Sequence, residues 1–162
     1  MRDFYIEQLV KRKNTKRSGL FKILLVLGGC ASVMLVKVSP IFVIVSLAIL
    51  FCIVKYFRVT SVEYEYVFFN GNIEIDKIMS KTRRKHLIST GLYEVEVVAP
   101  TGSLEIQQYR KVKKYNYSSR RKGVTTYQMV INHKGRRARI VFEPNEEFLT
   151  EMKLSSPRKV YF

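Results

Sequence analysis

The sequence predicts a membrane-embedded α-helical hairpin joined to an α+β domain, an antiparallel β-barrel or sandwich closed by one C-terminal helix. Three observations predict it. Two apolar runs, residues 20–36 and 38–57, sit almost back to back. Beyond them the hydrophobic period changes from helical to alternating, the mark of half-buried strands. A helical stripe returns only after Pro144. The division that follows is a basic segment at 1–19, the hairpin at 20–57 and the β-domain at 58–162.

Each apolar run approaches the ~20 residues that carry a helix across a ~30 Å hydrocarbon core. Lys37, Val38, Ser39 and Pro40 lie between the two. Serine as a cap and proline in the first turn suit the start of the second helix. With the turn centred on Val38, Gly28 faces Ala48 and Cys30 faces Ser46. Together with Ser32, the residues Gly28, Ser46 and Ala48 form a small-residue surface that lets two helices approach closely. The same register separates Cys30 from Cys52 by ~9 Å of helix rise, too far for a bridge within the chain. Leu27-Gly28-Gly29-Cys30 has the look of a lipoprotein cleavage box, but the apolar run continues past Cys30 and a second one follows, which favours an uncleaved anchor.

The chain carries a formal charge of +16 from 29 Lys and Arg against 13 Asp and Glu. Up to Phe57 the basic residues far outnumber Asp3 and Glu7, and Lys37 is the lone charge of the hairpin turn. Basic flanks favour the cytoplasmic side, so the expected location is the bacterial cell membrane with both termini cytoplasmic. At the start of the chain Asp3 is a candidate cap. Tyr5 with Leu9 and Ile6 with Val10 share one face of a short interfacial helix ending in Lys11-Arg12-Lys13; a charged topology signal is the plainer reading.

From Val62 the residues Val62, Tyr64, Tyr66 and Phe68 alternate with a second set, and Asn70-Gly71 is a hairpin turn signal. A return strand follows to Met79, and strand character resumes through Leu87 and Ile88, at 92–98 and from Leu104. Residues 109–123 read as a long basic loop. A last hairpin turns at His133-Lys134-Gly135. Asn145 is then the expected cap of a helix with Glu146 and Glu147 in its first turn and Phe148, Leu149 and Met152 as its apolar stripe.

Six or seven antiparallel strands followed by one helix is the element order of a pleckstrin-homology-like domain. The strings Glu63-Tyr64-Glu65-Tyr66, Asn70-Gly71, Ile75-Asp76-Lys77-Ile78, Arg83-Arg84-Lys85 and Ala99-Pro100, with the opening Asp3-Phe4-Tyr5-Ile6-Glu7-Gln8-Leu9-Val10, resemble an uncharacterised family of small Gram-positive-type membrane proteins. That resemblance implies a two-helix N-terminal anchor and a C-terminal pleckstrin-homology-like β-domain, and it carries no activity.

No catalytic constellation is visible. His86 sits beside Arg84 and Lys85, and His133 in a turn, neither with a carboxylate at a telling spacing. No metal-ligand spacing and no cofactor motif occurs, so the expectation is a non-enzymatic protein without a cofactor. The positive signal is basic charge: Lys81, Arg83, Arg84 and Lys85; Arg110, Lys111, Lys113 and Lys114; and Arg120, Arg121 and Lys122. Counting strand directions from Arg58 returns these clusters to the hairpin end. They are the expected contacts with anionic inner-leaflet phospholipid, each basic group contributing about 1 kcal/mol near such a surface. The resulting function is a membrane-anchored binding or scaffold protein, with a protein as the other partner class. The alternative is a single-stranded nucleic-acid binder, because Tyr109, Tyr115 and Tyr117 interleave with the basic residues up to Lys122 and could stack on bases. A tether to the membrane disfavours nucleic acid.

Overall fold

A computed structural model of the chain describes residues 5–13, 16–37, 39–60, 62–133 and 135–162. The expected cap Asp3, the turn residue Val38 and Lys134 lie outside the described residues.

The first strand, β1, is Tyr5–Lys11, where a short helix was expected. Its inward residues Ile6 and Val10 are buried and its outward residues Tyr5, Glu7 and Leu9 are exposed, the two-residue period of a strand with one wet face. The i, i+4 pairs that suggested a helix are satisfied equally well by that period. Two helices follow, α1 (Lys16–Leu35) and α2 (Ile41–Thr60), packed against each other.

Among the described residues, no helix is long and apolar enough to cross a membrane. This corrects the expected transmembrane hairpin. Lys22 interrupts α1 and Lys55 interrupts α2, leaving 23–35 and 41–54 as the stretches free of charge. At 1.5 Å per residue each extends about 20 Å, against ~30 Å of hydrocarbon.

The residues shielded from solvent run through Gly19, Lys22, Leu25, Gly29 and Ser32 on α1, Val36 just beyond it, and Phe42, Ser46, Ile49, Ile53 and Tyr56 on α2. Their spacing of three and four residues is that of a coiled-coil seam. Ser32 Oγ donates to Gly29 O at 2.8 Å, and the Ser46 hydroxyl, with one proton to share, lies 3.0 Å from Ser32 Oγ and 2.8 Å from Phe42 O. A Cβ on Gly29 would sit 3.6 Å from Ile49 and Ile53, whereas Gly28 faces open space and Ala48 is exposed. The pairing therefore centres one residue beyond Val38. One residue turns a helix by about 100°, which replaces Gly28 with Gly29 at the contact. Cys30 and Cys52 are free and exposed.

After the hairpin come β2 (Val62–Phe69), β3 (Asn72–Met79) and β4 (Arg83–Gly91). With β1 they form an antiparallel sheet in the order β1-β2-β3-β4, so the strand that precedes the hairpin and those that follow it share one sheet. Asn70 and Gly71 both have positive φ, 46° and 78°, the left-handed geometry a tight two-residue hairpin turn requires. The second sheet contains β5 (Val95–Pro100), β6 (Lys114–Asn116), β7 (Tyr127–His133) and β8 (Arg136–Phe142) in the order β5-β7-β8-β6. The pairing of β6 with β8 is parallel and comes out of the stretch read as a loop. A single helical turn, α3 (Leu104–Gln107), precedes it, and α4 (Glu146–Ser155) ends the fold.

The inner faces close on one core. Tyr64, Tyr66, Phe68, Ile73 and Ile75 from the first sheet meet Met129, Ile140 and Phe142 from the second. Phe148, Leu149 and Met152 of α4 fill the open end, with Asn145 accepting from Phe148 N at 2.8 Å as the expected cap. Phe148 makes ring contacts with Tyr66, Phe68 and Phe142.

Candidate functional site

The hairpin leaves from Lys11 and the chain returns at Val62, and these two ends are neighbours: Arg12 N donates to Val62 O at 3.0 Å. Strand register fixes what shares that end of the first sheet. Val62 lies opposite Met79, and Met79 opposite Arg83. Lys81 and Arg83 are therefore at the hairpin end, about 14 Å from Lys11 across three strand spacings. Lys81 and its neighbour Ser80 turn the chain there with φ of 58° and 55°.

The loop at 118–122 comes to the same end from the second sheet. Lys13 N donates to Ser119 O at 2.7 Å. Ser119 is itself pinned from below: its N–H and Oγ both donate to Glu143 Oε1, at 3.0 and 2.8 Å. Glu143 is buried, so this anchor is shielded from competing water. Tyr66 closes the network by donating to Tyr117 O at 2.6 Å while accepting from Glu143 N. Burial pushes the Tyr66 hydroxyl far above its ordinary pKa and keeps it a neutral donor.

The result is an open cleft of about 420 Å³ lined by Lys11, Arg12, Lys13, Arg121 and Lys122. Among the described residues no carboxylate lines it. Arg12 is steadied by Tyr64, whose hydroxyl lies 3.3 Å from Nη1. Five cationic side chains around one concavity make its local potential positive. Arg120 adjoins it with φ of 59° and an exposed side chain.

The remaining basic residues go elsewhere. Arg84 is turned onto the outer face of the first sheet, where Nη2 lies 2.7 and 2.6 Å from the two oxygens of Glu65 and Nη1 lies 3.7 Å from Asp76. Its charge is spent on those acids. Lys85 is exposed and opposite Lys77. Arg110, Lys111, Lys113 and Lys114 lie along the β6 edge of the second sheet, where Arg139 donates from its N to Lys113 O and from Nη2 to Arg110 O. Lys114 precedes Ser119 by five residues, at most about 17 Å of extended chain. Three basic residues of the cleft, Lys11, Arg12 and Lys13, were read in the sequence as the end of a helix. The alternation of Ile6, Gln8 and Val10 with Tyr5, Glu7 and Leu9 was the signal for a strand instead.

The tyrosines proposed as stacking platforms are built into the fold. Tyr117 packs on Tyr64 and stacks with Tyr115 at 6.3 Å, and Lys113 lies over the Tyr115 ring. Arg137 lies over Tyr109. Nothing in this arrangement favours splayed bases. His86 Nδ1 is 2.8 Å from Asp76 on an exposed face. Among the described residues no group of acids, histidines and cysteines could hold a metal ion.

Two packed sheets capped by a C-terminal helix agree with what the chain matches. Residues 2–162 fit a family described as a bacterial PH-like domain (DUF6106). The chain belongs to this family. Its PH-like domain extends over the N-terminal strand and the helical hairpin as well as the later strands. Neither a curated protein nor a solved structure matches it. The membership establishes a bacterial PH-like domain, and such a domain is consistent with a binding or scaffold role.

Proposed function

We propose that this PH-like protein is a non-enzymatic binding module that docks on anionic phospholipid at the cytoplasmic face of the bacterial membrane through its hairpin end. The observation that carries the reading is the cleft whose described lining, Lys11, Arg12, Lys13, Arg121 and Lys122, is wholly basic, held in shape by the buried Ser119–Glu143 contact. Lys81 and Arg83 widen the basic rim at the same end. With each juxtamembrane cation contributing about 1 kcal/mol against an anionic surface, five to seven of them orient the domain firmly. The hairpin that emerges there exposes Leu20, Leu24, Leu27, Ile44 and Leu47, an apolar surface of the kind that marks contact with lipid or protein.

Vesicle co-flotation of the full chain tests the reading. The expected result is stronger partition onto phosphatidylglycerol-containing vesicles than onto pure phosphatidylcholine, with the difference falling as salt rises. Lys13→Glu, Arg121→Glu and Lys122→Glu together should remove most of that difference. Lys111→Glu and Lys113→Glu, on the β6 edge, should remove less. Equal partition onto both vesicle types, or a difference indifferent to the cleft triple variant, overturns the proposal.

A further inference from the structure

The outer face of the first sheet carries the opposite charge to the rest of the protein. Register sets its side chains in rows that cross all four strands. Tyr5, Phe69 and Asn72 form the row nearest the Asn70-Gly71 turn, and Glu7, Val67, Glu74 and Ser89 form the next. Leu9, Glu65, Asp76 and His86 follow, then Lys11, Glu63, Ile78 and Arg84. Five of the chain's 13 acidic residues are thus gathered here against Lys11 and Arg84, in a protein of net charge +16.

The first two rows enclose a groove of about 610 Å³ lined by Tyr5, Val67, Phe69, Asn72, Glu74 and Ser89. Its aromatic wall is preformed: Tyr5 and Phe69 meet edge to face at 6.5 Å, and the Tyr5 hydroxyl donates to Glu7 at 2.8 Å. Ser89 donates to Glu74 at 3.3 Å and orients that carboxylate. Phe69 is 43% exposed and Tyr5 60% exposed, so apolar surface stands in water beside the carboxylates of Glu7 and Glu74. The groove lies at the end of the sheet away from Lys11 and Val62, about 20 Å from the basic cleft along six residues of strand.

We propose that this groove binds a lysine- or arginine-bearing extended segment of a protein partner. Charge complementarity selects the occupant. A cationic segment is attracted to this acidic face of a protein whose net charge of +16 otherwise repels it. The aliphatic stems of lysine and arginine cover Tyr5, Val67 and Phe69, and their heads reach Glu7 and Glu74. The reading is independent of lipid docking, which uses the other end of the molecule.

The test uses the full chain in a non-ionic detergent that covers the exposed helices, and a fluorescent ten-residue probe of alternating lysine and valine. Anisotropy should report binding of this probe and at least tenfold weaker binding of its glutamine-for-lysine counterpart. Glu74→Lys should weaken binding at least tenfold and Phe69→Ser severalfold, while Glu147→Lys on α4 leaves it unchanged. Vesicle partition should be the same for Glu74→Lys as for the unsubstituted protein. Absence of probe binding overturns the proposal, as does equal weakening by Glu147→Lys. Loss with Glu74→Lys but not with Phe69→Ser reduces the groove to diffuse cation attraction and also overturns it. Self-association of the full chain in sedimentation, abolished by Glu74→Lys, assigns the groove to a second copy instead.

Discussion

Glu65 and Arg84 show how one side chain's surroundings decide what another can do. Glu65 lies on the wet face of the first sheet yet is only 4% exposed, covered by its neighbours. Burial raises its pKa, Arg84 pulls it back, and Glu7 raises it again. A carboxyl whose folded pKa is raised costs stability once it ionises. Stability therefore falls as pH climbs from about 4.3, the ordinary glutamate value, through the folded value. Arg84→Ala should steepen that fall and destabilise the protein by about 1–2 kcal/mol at neutral pH, less than for a fully buried pair because the guanidinium is itself mostly exposed. Glu65→Gln in the same background should flatten the pH dependence. Urea unfolding across the pH range is the measurement. The sequence places Arg84 in a cluster with Arg83 and Lys85 and gives no sign that it points to the other face. The alternation of side chains along β4 divides that cluster in two, so a run of like charges in a strand is never a single patch.

At the level of elements, the patterns that were legible are those with a strict period or a turn chemistry. The Asn70-Gly71 turn, the strands on either side of it and the Asn145-capped helix follow from their residues because nothing competes with the local signal. β1 was obscured because seven residues fit an i, i+4 and an i, i+2 pattern together, and the partner that decides between them, β2, lies some fifty residues on. β6 was obscured because three residues held by one parallel pairing carry no period at all. The hairpin was legible as two helices, and its register was missed by one residue. That register gives a sharp expectation. Gly29→Leu should drive α1 and α2 apart, because the added side chain meets Ile49 and Ile53, whereas Gly28→Leu projects into open space. Spin labels on the exposed Cys30 and Cys52 would read the separation directly, lengthening for Gly29→Leu and unchanged for Gly28→Leu.

For the whole molecule, the decisive fact is that the helical hairpin is an insertion in a single β-domain. β1 pairs along its full length with β2, and Gln8 donates to Glu143 O and accepts from Asn145 N, tying that strand to the start of the closing helix. A fragment of residues 58–162 lacks β1 and should unfold without a cooperative transition. Replacing residues 14–60 by a short glycine-rich turn should instead leave a folded, cooperatively unfolding domain, because Arg12 and Val62 are already hydrogen-bonded neighbours. Thermal denaturation followed by circular dichroism separates the two outcomes. The basic cleft became visible only at this scale. Its five residues come from two segments more than a hundred positions apart, and no local pattern links Lys13 to Arg121.

The insertion point also sets how the fold answers a mechanical load. A pull applied through α1 and α2 acts on β1 and β2 at the same end and in the same direction. It peels the ladder open rung by rung from the Arg12–Val62 bond instead of shearing all seven residue pairs at once. Tension on the hairpin would thus unzip the first sheet at low force and take the lysines and arginines of the cleft apart first.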